Sequence, residues 1–231
     1  MFAEDLLVPE PVPFMPRAPL AATTIEGRDA GVLRAILRPD VNLAVWHRTM
    51  DATLARDAVR LSESRFKDID VIVGPEATQL IGVLSPLSAF PGGEVIRADV
   101  SFLFGAFMQL FPGPVRLCLE KVTGDHCAKF HVDYLRARLI TTYVGPGTEW
   151  LPEPSVNREV LHHPPDCPCD ANKQISRPGT HPRQAAAGDV LLMNGQRNDD
   201  GLPGLVHRSP ALGSIFGGIR IVLALSTVGG G

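Results

Sequence analysis

Phe130-His131-Val132-Asp133 is the stretch on which the fold of this 231-residue chain turns. Side chains two apart on an extended strand point to one face, so His131 and Asp133 address a single point in space. Gly204-Leu205-Val206-His207-Arg208-Ser209-Pro210 offers a third ligand. Two histidines and one carboxylate make the facial set that leaves open positions on Fe(II). Arg220 follows thirteen residues after His207, within Gly218-Ile219-Arg220-Ile221-Val222-Leu223. A buried arginine there is costly unless a carboxylate pairs with it, and a bound dicarboxylic acid would do so bidentately.

Outward from this stretch the hydrophobic period changes. Val115, Leu117 and Leu119 alternate with Arg116, Cys118 and Glu120, the pattern of a half-buried strand. Residues 130–134, 136–144, 190–193, 204–207 and 219–226 complete a strand set, so the second half reads as antiparallel β. The first half, residues 28–112, reads as helical support with short strands at 41–46 and 68–73. Val32, Ile36 and Leu37 give a short apolar face. Asp51 can cap a helix carrying Leu54, Ala58 and Leu61, and Pro75 sits where a helix-starting proline belongs. Residues 95–111 form the clearest helix, with Val100, Leu103, Phe104, Phe107 and Leu110 on one broad face that covers a sheet. Residues 1–24 read as an extended arm, since Pro9, Pro11, Pro13, Pro16 and Pro19 forbid a regular helix. Residues 25–231 then form a single domain.

Composition bounds the function classes. Hydrophobic residues make up 45% and charged residues 20%, which suits a folded core rather than wholesale disorder. With 22 Gly and 21 Pro, a mostly helical bundle is disfavoured. A formal charge of -3 disfavours a dedicated binder of long nucleic acid. Four cysteines are too few for a disulfide-stapled scaffold. No run of eighteen apolar residues predicts a membrane span, and Glu4 and Asp5 replace the basic start of a signal peptide, so a soluble cytoplasmic protein is expected. Oligomeric state is not legible.

The constellation of His131, Asp133, His207 and Arg220 resembles the iron and 2-oxoglutarate dependent dioxygenases, in their prolyl-hydroxylase-like branch. Arg138-Leu139-Ile140-Thr141-Thr142-Tyr143 followed by Gly145-Pro146-Gly147-Thr148 resembles the strand and glycine-rich turn after the first two ligands. Ala187-Gly188-Asp189-Val190-Leu191-Leu192-Met193-Asn194 resembles the strand before the distal histidine. The likeness spans residues 115–227. It implies an α+β, mainly β chain: a double-stranded β-helix (a distorted, cupin-like jelly roll) behind an N-terminal helical layer. It implies Fe(II) on His131, Asp133 and His207, and 2-oxoglutarate on Arg220 with help from Tyr143 or Thr142. The implied reaction hydroxylates or demethylates a small molecule or a protein side chain, with succinate as co-product. Helices before residue 112 and the loop 145–184 are then expected to shape the substrate pocket. The gap from His207 to Arg220 is longer than usual in these enzymes, and Gly213, Gly217 and Gly218 suggest a wide turn. More narrowly, residues 127–158 resemble a bacterial family without an assigned reaction, whose members tend to be encoded near zinc-handling genes.

Residues 145–184 carry eight prolines and no clear period. Within them His162-His163-Pro164-Pro165-Asp166-Cys167-Pro168-Cys169 contains acceptable Zn(II) ligands. His163, Cys167 and Cys169 make a candidate second metal site, with His126, Cys127 or His181 able to add a ligand from elsewhere. Three functions therefore stand open: a dioxygenase, a non-enzymatic zinc-binding or zinc-responsive protein on the same fold, and a structural or interaction protein without metal.

Overall fold

Alternation along a few strands decides the architecture. In a computed structural model, which describes residues 22–124, 128–196, 201–212 and 218–229, ten strands form two sheets. β1 (Thr23–Gly27) and β2 (Val41–Trp46) are parallel, joined by a 3₁₀ crossover at Ala30–Leu37. β3 (Ile69–Val73), β4 (Val115–Val122), β5 (Ala137–Val144), β8 (Val190–Asn194) and β10 (Arg220–Thr227) complete a seven-stranded sheet in the order β1-β2-β8-β5-β10-β4-β3. Every other pair in it is antiparallel. A small sheet of β6 (Glu149–Trp150), β7 (Arg183–Gln184) and β9 (His207–Arg208) lies apart from it. The fold is thus α+β with two sheets, and no described helix is long and apolar enough to cross a membrane.

The helices of the first half of the chain cover one face of the large sheet. α1 (Ala52–Glu63) starts at Asp51, whose carboxylate accepts the Leu54 N–H at 2.8 Å, an ordinary N-cap. α2 (Ala77–Leu84) follows Pro75 by two residues. α3 (Gly93–Leu110) buries Ile96, Val100, Leu103, Phe104 and Phe107 on one stripe. These side chains meet Leu117, Leu119, Leu139, Ile221, Leu223 and Leu225 from the sheet in one apolar cluster. Each fully buried Leu or Phe contributes about 1.5–3 kcal/mol there. The alternate residues of the same strands point the other way, where Leu43, Val45, Ile140, Met193 and Val222 pack with Trp150 and Leu205 of the small-sheet side.

Several sequence expectations change. Residues 130–134 are not a strand: only His131 pairs, in an isolated bridge to His207. The Phe130 N–H is instead satisfied by the Asn172 side chain at 2.8 Å, so the ladder stops after one pair. The expected strand at 204–207 shrinks to His207–Arg208. Residues 145–184 are not structureless, since they hold α4 (Arg158–His162) and α5 (Pro168–Ile175) as well as β6 and β7. Both helices are too short to show a period, and Pro168 at the first turn starts α5. β1 begins within the last two residues of the expected proline-rich arm, while residues 1–21 lie outside the described chain.

Candidate metal centre

His131 and His207 are brought together by their own backbones. Each N–H donates to the other's carbonyl at 3.0 Å, and the ring centroids stand 4.6 Å apart. Asp133 joins them from two residues further on. His207 Nε2 lies 3.4 Å from Asp133 Oδ2, His131 Nε2 lies 4.0 Å from Asp133 Oδ1, and one ligand atom from each of the three falls within 4.8 Å of the others. Two neighbours hold this geometry from behind. The Gln196 N–H donates to the Asp133 carbonyl at 2.7 Å, and Gly195 allows that approach, because a Cβ there would sit 2.6 Å from the same carbonyl oxygen.

The tautomers follow from the partners. His131 Nδ1 lies 2.9 Å from the Lys129 carbonyl, and His207 Nδ1 lies 3.1 Å from the Leu205 carbonyl. A carbonyl only accepts, so each Nδ1 carries the proton and each Nε2 presents a lone pair. Burial holds the His207 pKa down at about 4, against the attraction of Asp133, so its ring is neutral at pH 7. Arg138 Nη1 donates to Asp133 Oδ1 at 2.9 Å. It also sits 2.8 Å from Oδ2 but without hydrogen-bond geometry, so Oδ2 is buried with no donor. Two free imidazole nitrogens facing an orphaned carboxylate oxygen are a donor set suited to a divalent metal.

Arg220 is the second unusual group. It is 3% exposed, yet among the described residues no carboxylate pairs with it. Nη2 donates to Thr142 Oγ1 at 3.0 Å and Thr148 Oγ1 at 2.8 Å, Nη1 to Ser209 Oγ at 3.3 Å, and Nε has no partner. Burial lowers its pKa to about 10, with Glu120 opposing, so it stays charged at neutral pH. Thr148 reaches it because Gly145, at φ +86°, turns the chain where any Cβ would meet the Ile219 carbonyl at 2.6 Å. His131, His207 and Arg220 line one cavity of about 330 Å³, with Glu120, Cys118 and Arg138 on the same sheet face.

Residues 27–225 match the family described as Protein of unknown function (DUF1826). The chain belongs to that family. No curated protein matches it. Among solved structures, a full-length Neurospora crassa protein in complex with alpha-KG is 12% identical, covering 92% of this chain and 86% of that one at a TM-score of 0.40. A putative oxygenase from Shewanella oneidensis is 14% identical, covering 89% and 88% at a TM-score of 0.41. The non-heme alpha ketoglutarate dependent epimerase SnoN from nogalamycin biosynthesis is 14% identical, covering 85% and 80% at 0.37. Identities and scores this low transfer no chemistry.

In this DUF1826 protein the structure brings together His131, Asp133, His207, Arg220 and Thr142, and leaves Tyr143 out. Tyr143 lies on the opposite face of β5, fully buried among the helices, where its hydroxyl donates to Asp99 at 2.7 Å. The expected helical contribution to the pocket also fails: no residue of 28–112 lines the cavity, because the sheet stands between. From the loop 145–184 only Thr148 lines it. Trp150 is buried packing and Glu149 pairs with Arg208 at 2.6 Å. Of the second candidate site, Cys167 and Cys169 group with Asp170 rather than with His163, which closes α4 on the other side of a turn. His181 is exposed and outside that group, while His126, Cys127, Gly213 and Gly217 lie outside the described residues. Sequence reasoning did not single out Ser209, Thr148 or Glu120 as cavity residues. The signal for Glu120 was present in its alternation with Leu117 and Leu119.

Proposed function

We propose that the protein is an Fe(II)- and 2-oxoglutarate-dependent oxygenase, with His131, Asp133 and His207 as metal ligands. In this reading the two sheets are the halves of a double-stranded β-helix, and Arg220 with Thr142 seats the far carboxylate of 2-oxoglutarate. The observation that carries it is Arg220. A guanidinium this buried, hydrogen-bonded among the described residues only to hydroxyls and with Nε unused there, is a cation prepared for an anion. It opens on the same cavity as the two histidines, so one dicarboxylate is the ligand that could serve both.

Iron and 2-oxoglutarate, when bound, supply oxygen-dependent decarboxylation to succinate coupled to attack on a substrate C–H bond. The chain's own part is positioning. The Lys129 and Leu205 carbonyls hold both Nε2 atoms towards one point. Arg138 fixes the Asp133 carboxylate and leaves Oδ2 free for the metal. Val122, Ile140, Val222 and Ala224 give the cavity apolar walls against which a substrate can pack. The substrate class is a small molecule or a protein side chain.

Anaerobic titration with Fe(II) and 2-oxoglutarate tests this. The wild-type chain should develop the weak visible charge-transfer band of the chelate, and Arg220→Ala should weaken it. Oxygen should then convert 2-oxoglutarate to succinate in the wild type alone. No band, no succinate and stoichiometric Zn(II) on the triad would instead make this a zinc-binding protein without oxygenase activity.

A further inference from the structure

α5 has two ends with different surroundings. Along its length it braces the metal centre. Asn172 Oδ1 accepts the Phe130 N–H and Asn172 Nδ2 donates to the Ala128 carbonyl, both at 2.8 Å, just ahead of His131. Ala171 and Ile175 are fully buried in one cluster with Phe130 and Val206, the residues that precede the two histidines. The other end is in solvent. There Cys167, Cys169 and Asp170 are all exposed, and one ligand atom from each falls within 4.8 Å of the others.

The sulfur–oxygen separation between Cys169 and Asp170 suits a soft divalent ion. Tetrahedral zinc, with bonds of about 2.3 Å to sulfur and about 2.0–2.2 Å to oxygen, needs S···O edges of about 3.5–3.7 Å and S···S edges of about 3.8 Å. Cys169 Sγ lies 3.5 Å from Asp170 Oδ1. The helix start explains why three ligands so close in sequence converge: Cys167 is the cap residue, and Cys169 and Asp170 follow in the first turn.

We propose that Cys167, Cys169 and Asp170 form a second metal site for a thiophilic divalent cation of the Zn(II) type, and that its occupancy stiffens the helix holding His131 and His207 in place. Water completes the coordination on the solvent side. An opening of α5 that frees the 128–130 backbone from Asn172 must then also release the ion. The site does not depend on the oxygenase reading, since its ligands are different residues.

Co(II) added to the full chain under a thiol reductant is the first probe. Thiolate-to-cobalt charge transfer in the near ultraviolet is expected in the wild type and in His131→Ala, because the triad contains no sulfur. It should vanish in C167S/C169S, whose side chains are exposed and carry no core packing. No band in the wild type, or a band surviving in that double variant, overturns the site. Hydrogen exchange in the His131→Ala background then tests the coupling, with Zn(II) at a hundred times its dissociation constant. Local opening that must shed the ion slows about a hundredfold under that condition. The amides of residues 171–175 and of Phe130 should slow together, and neither should change in a variant that also carries C167S/C169S. Asn172→Ala should keep the slowing in α5 and lose it at Phe130. Slowing confined to α5 in the Asn172-containing protein would overturn the bracing role.

Discussion

The two faces of the large sheet are made by the same strands and do opposite work. On β4, β5 and β10, Leu117, Leu119, Leu139, Ile221, Leu223 and Leu225 face the helices and are completely buried. One residue along each strand, Cys118, Glu120, Arg138, Thr142, Arg220 and Ser226 face the other way. The first face is mostly apolar, broken by the Tyr143–Asp99–Arg48 group and the Thr141 hydroxyl. Among the described residues the second holds a buried cation without a carboxylate and a buried carboxylate oxygen without a donor. Period two lets one strand set supply both, so stability and chemistry separate by face rather than by segment.

If that division is right, neighbouring substitutions on β10 should give unlike phenotypes. Leu223→Ala should have the largest effect, a loss of about 2–5 kcal/mol in folding stability by denaturant titration, because the sheet and helices cannot collapse onto the gap. Its ligand affinities should stay near wild type in the folded fraction. Arg220→Met should do the reverse. The free protein should be as stable as wild type or up to about 2 kcal/mol more so, since an uncompensated buried charge is removed. The further stabilisation that 2-oxoglutarate adds to the Fe(II)-loaded protein, about 2.7 kcal/mol in the wild type at a hundred times its dissociation constant, should fall sharply in the thermal melt while the Fe(II) contribution stays. A large loss of stability in the metal- and ligand-free Arg220→Met protein would break the division. Arg138→Met is a smaller step on the same face. It removes the donor that orients Asp133, and should weaken Fe(II) binding about 10–100-fold by anaerobic titration.

Legibility in the sequence followed the same line. Helices with a full apolar stripe, such as α3, and strands with clean alternation, such as β4, were readable because burial on one side leaves a period. His131, Asp133, His207 and Arg220 were readable as a set because residue type and order carry chemistry. The segment around His131 was misread as a strand, since the bond that ends its pairing comes from Asn172, forty-two positions away in sequence. α4 and α5 left no period because each is one or two turns long and buries only a few residues. The sequence points to an external carboxylate for Arg220, and no pattern in it reveals the Thr142, Thr148 and Ser209 hydroxyls that hold the guanidinium in the chain itself.

Thr142 and Tyr143 give the smallest and sharpest test. Both are candidates for the same carboxylate, and the strand puts these two adjacent residues on opposite faces. The ladder between β5 and β10 shifts register here, pairing Val222 with Thr142 and Ile221 with Val144, so Tyr143 is left between them on the helical side. Its burial and the adjacent Asp99 push the phenol pKa well above the ordinary value, so it remains a donor to that carboxylate. Tyr143→Phe therefore removes one hydrogen bond and should cost about 1–2 kcal/mol of stability, with Arg48 still holding Asp99 at 2.6 Å. The affinity for 2-oxoglutarate should not move. Thr142→Val removes a hydroxyl from Arg220 and should weaken 2-oxoglutarate by roughly 1 kcal/mol, about fivefold, with little change in the melt. Isothermal titration beside a denaturant curve for each variant reads both quantities. An exchange of the two phenotypes would mean that β5 presents its other face to the cavity, and the separation of stability from chemistry would fail at the strand where it is most sharply drawn.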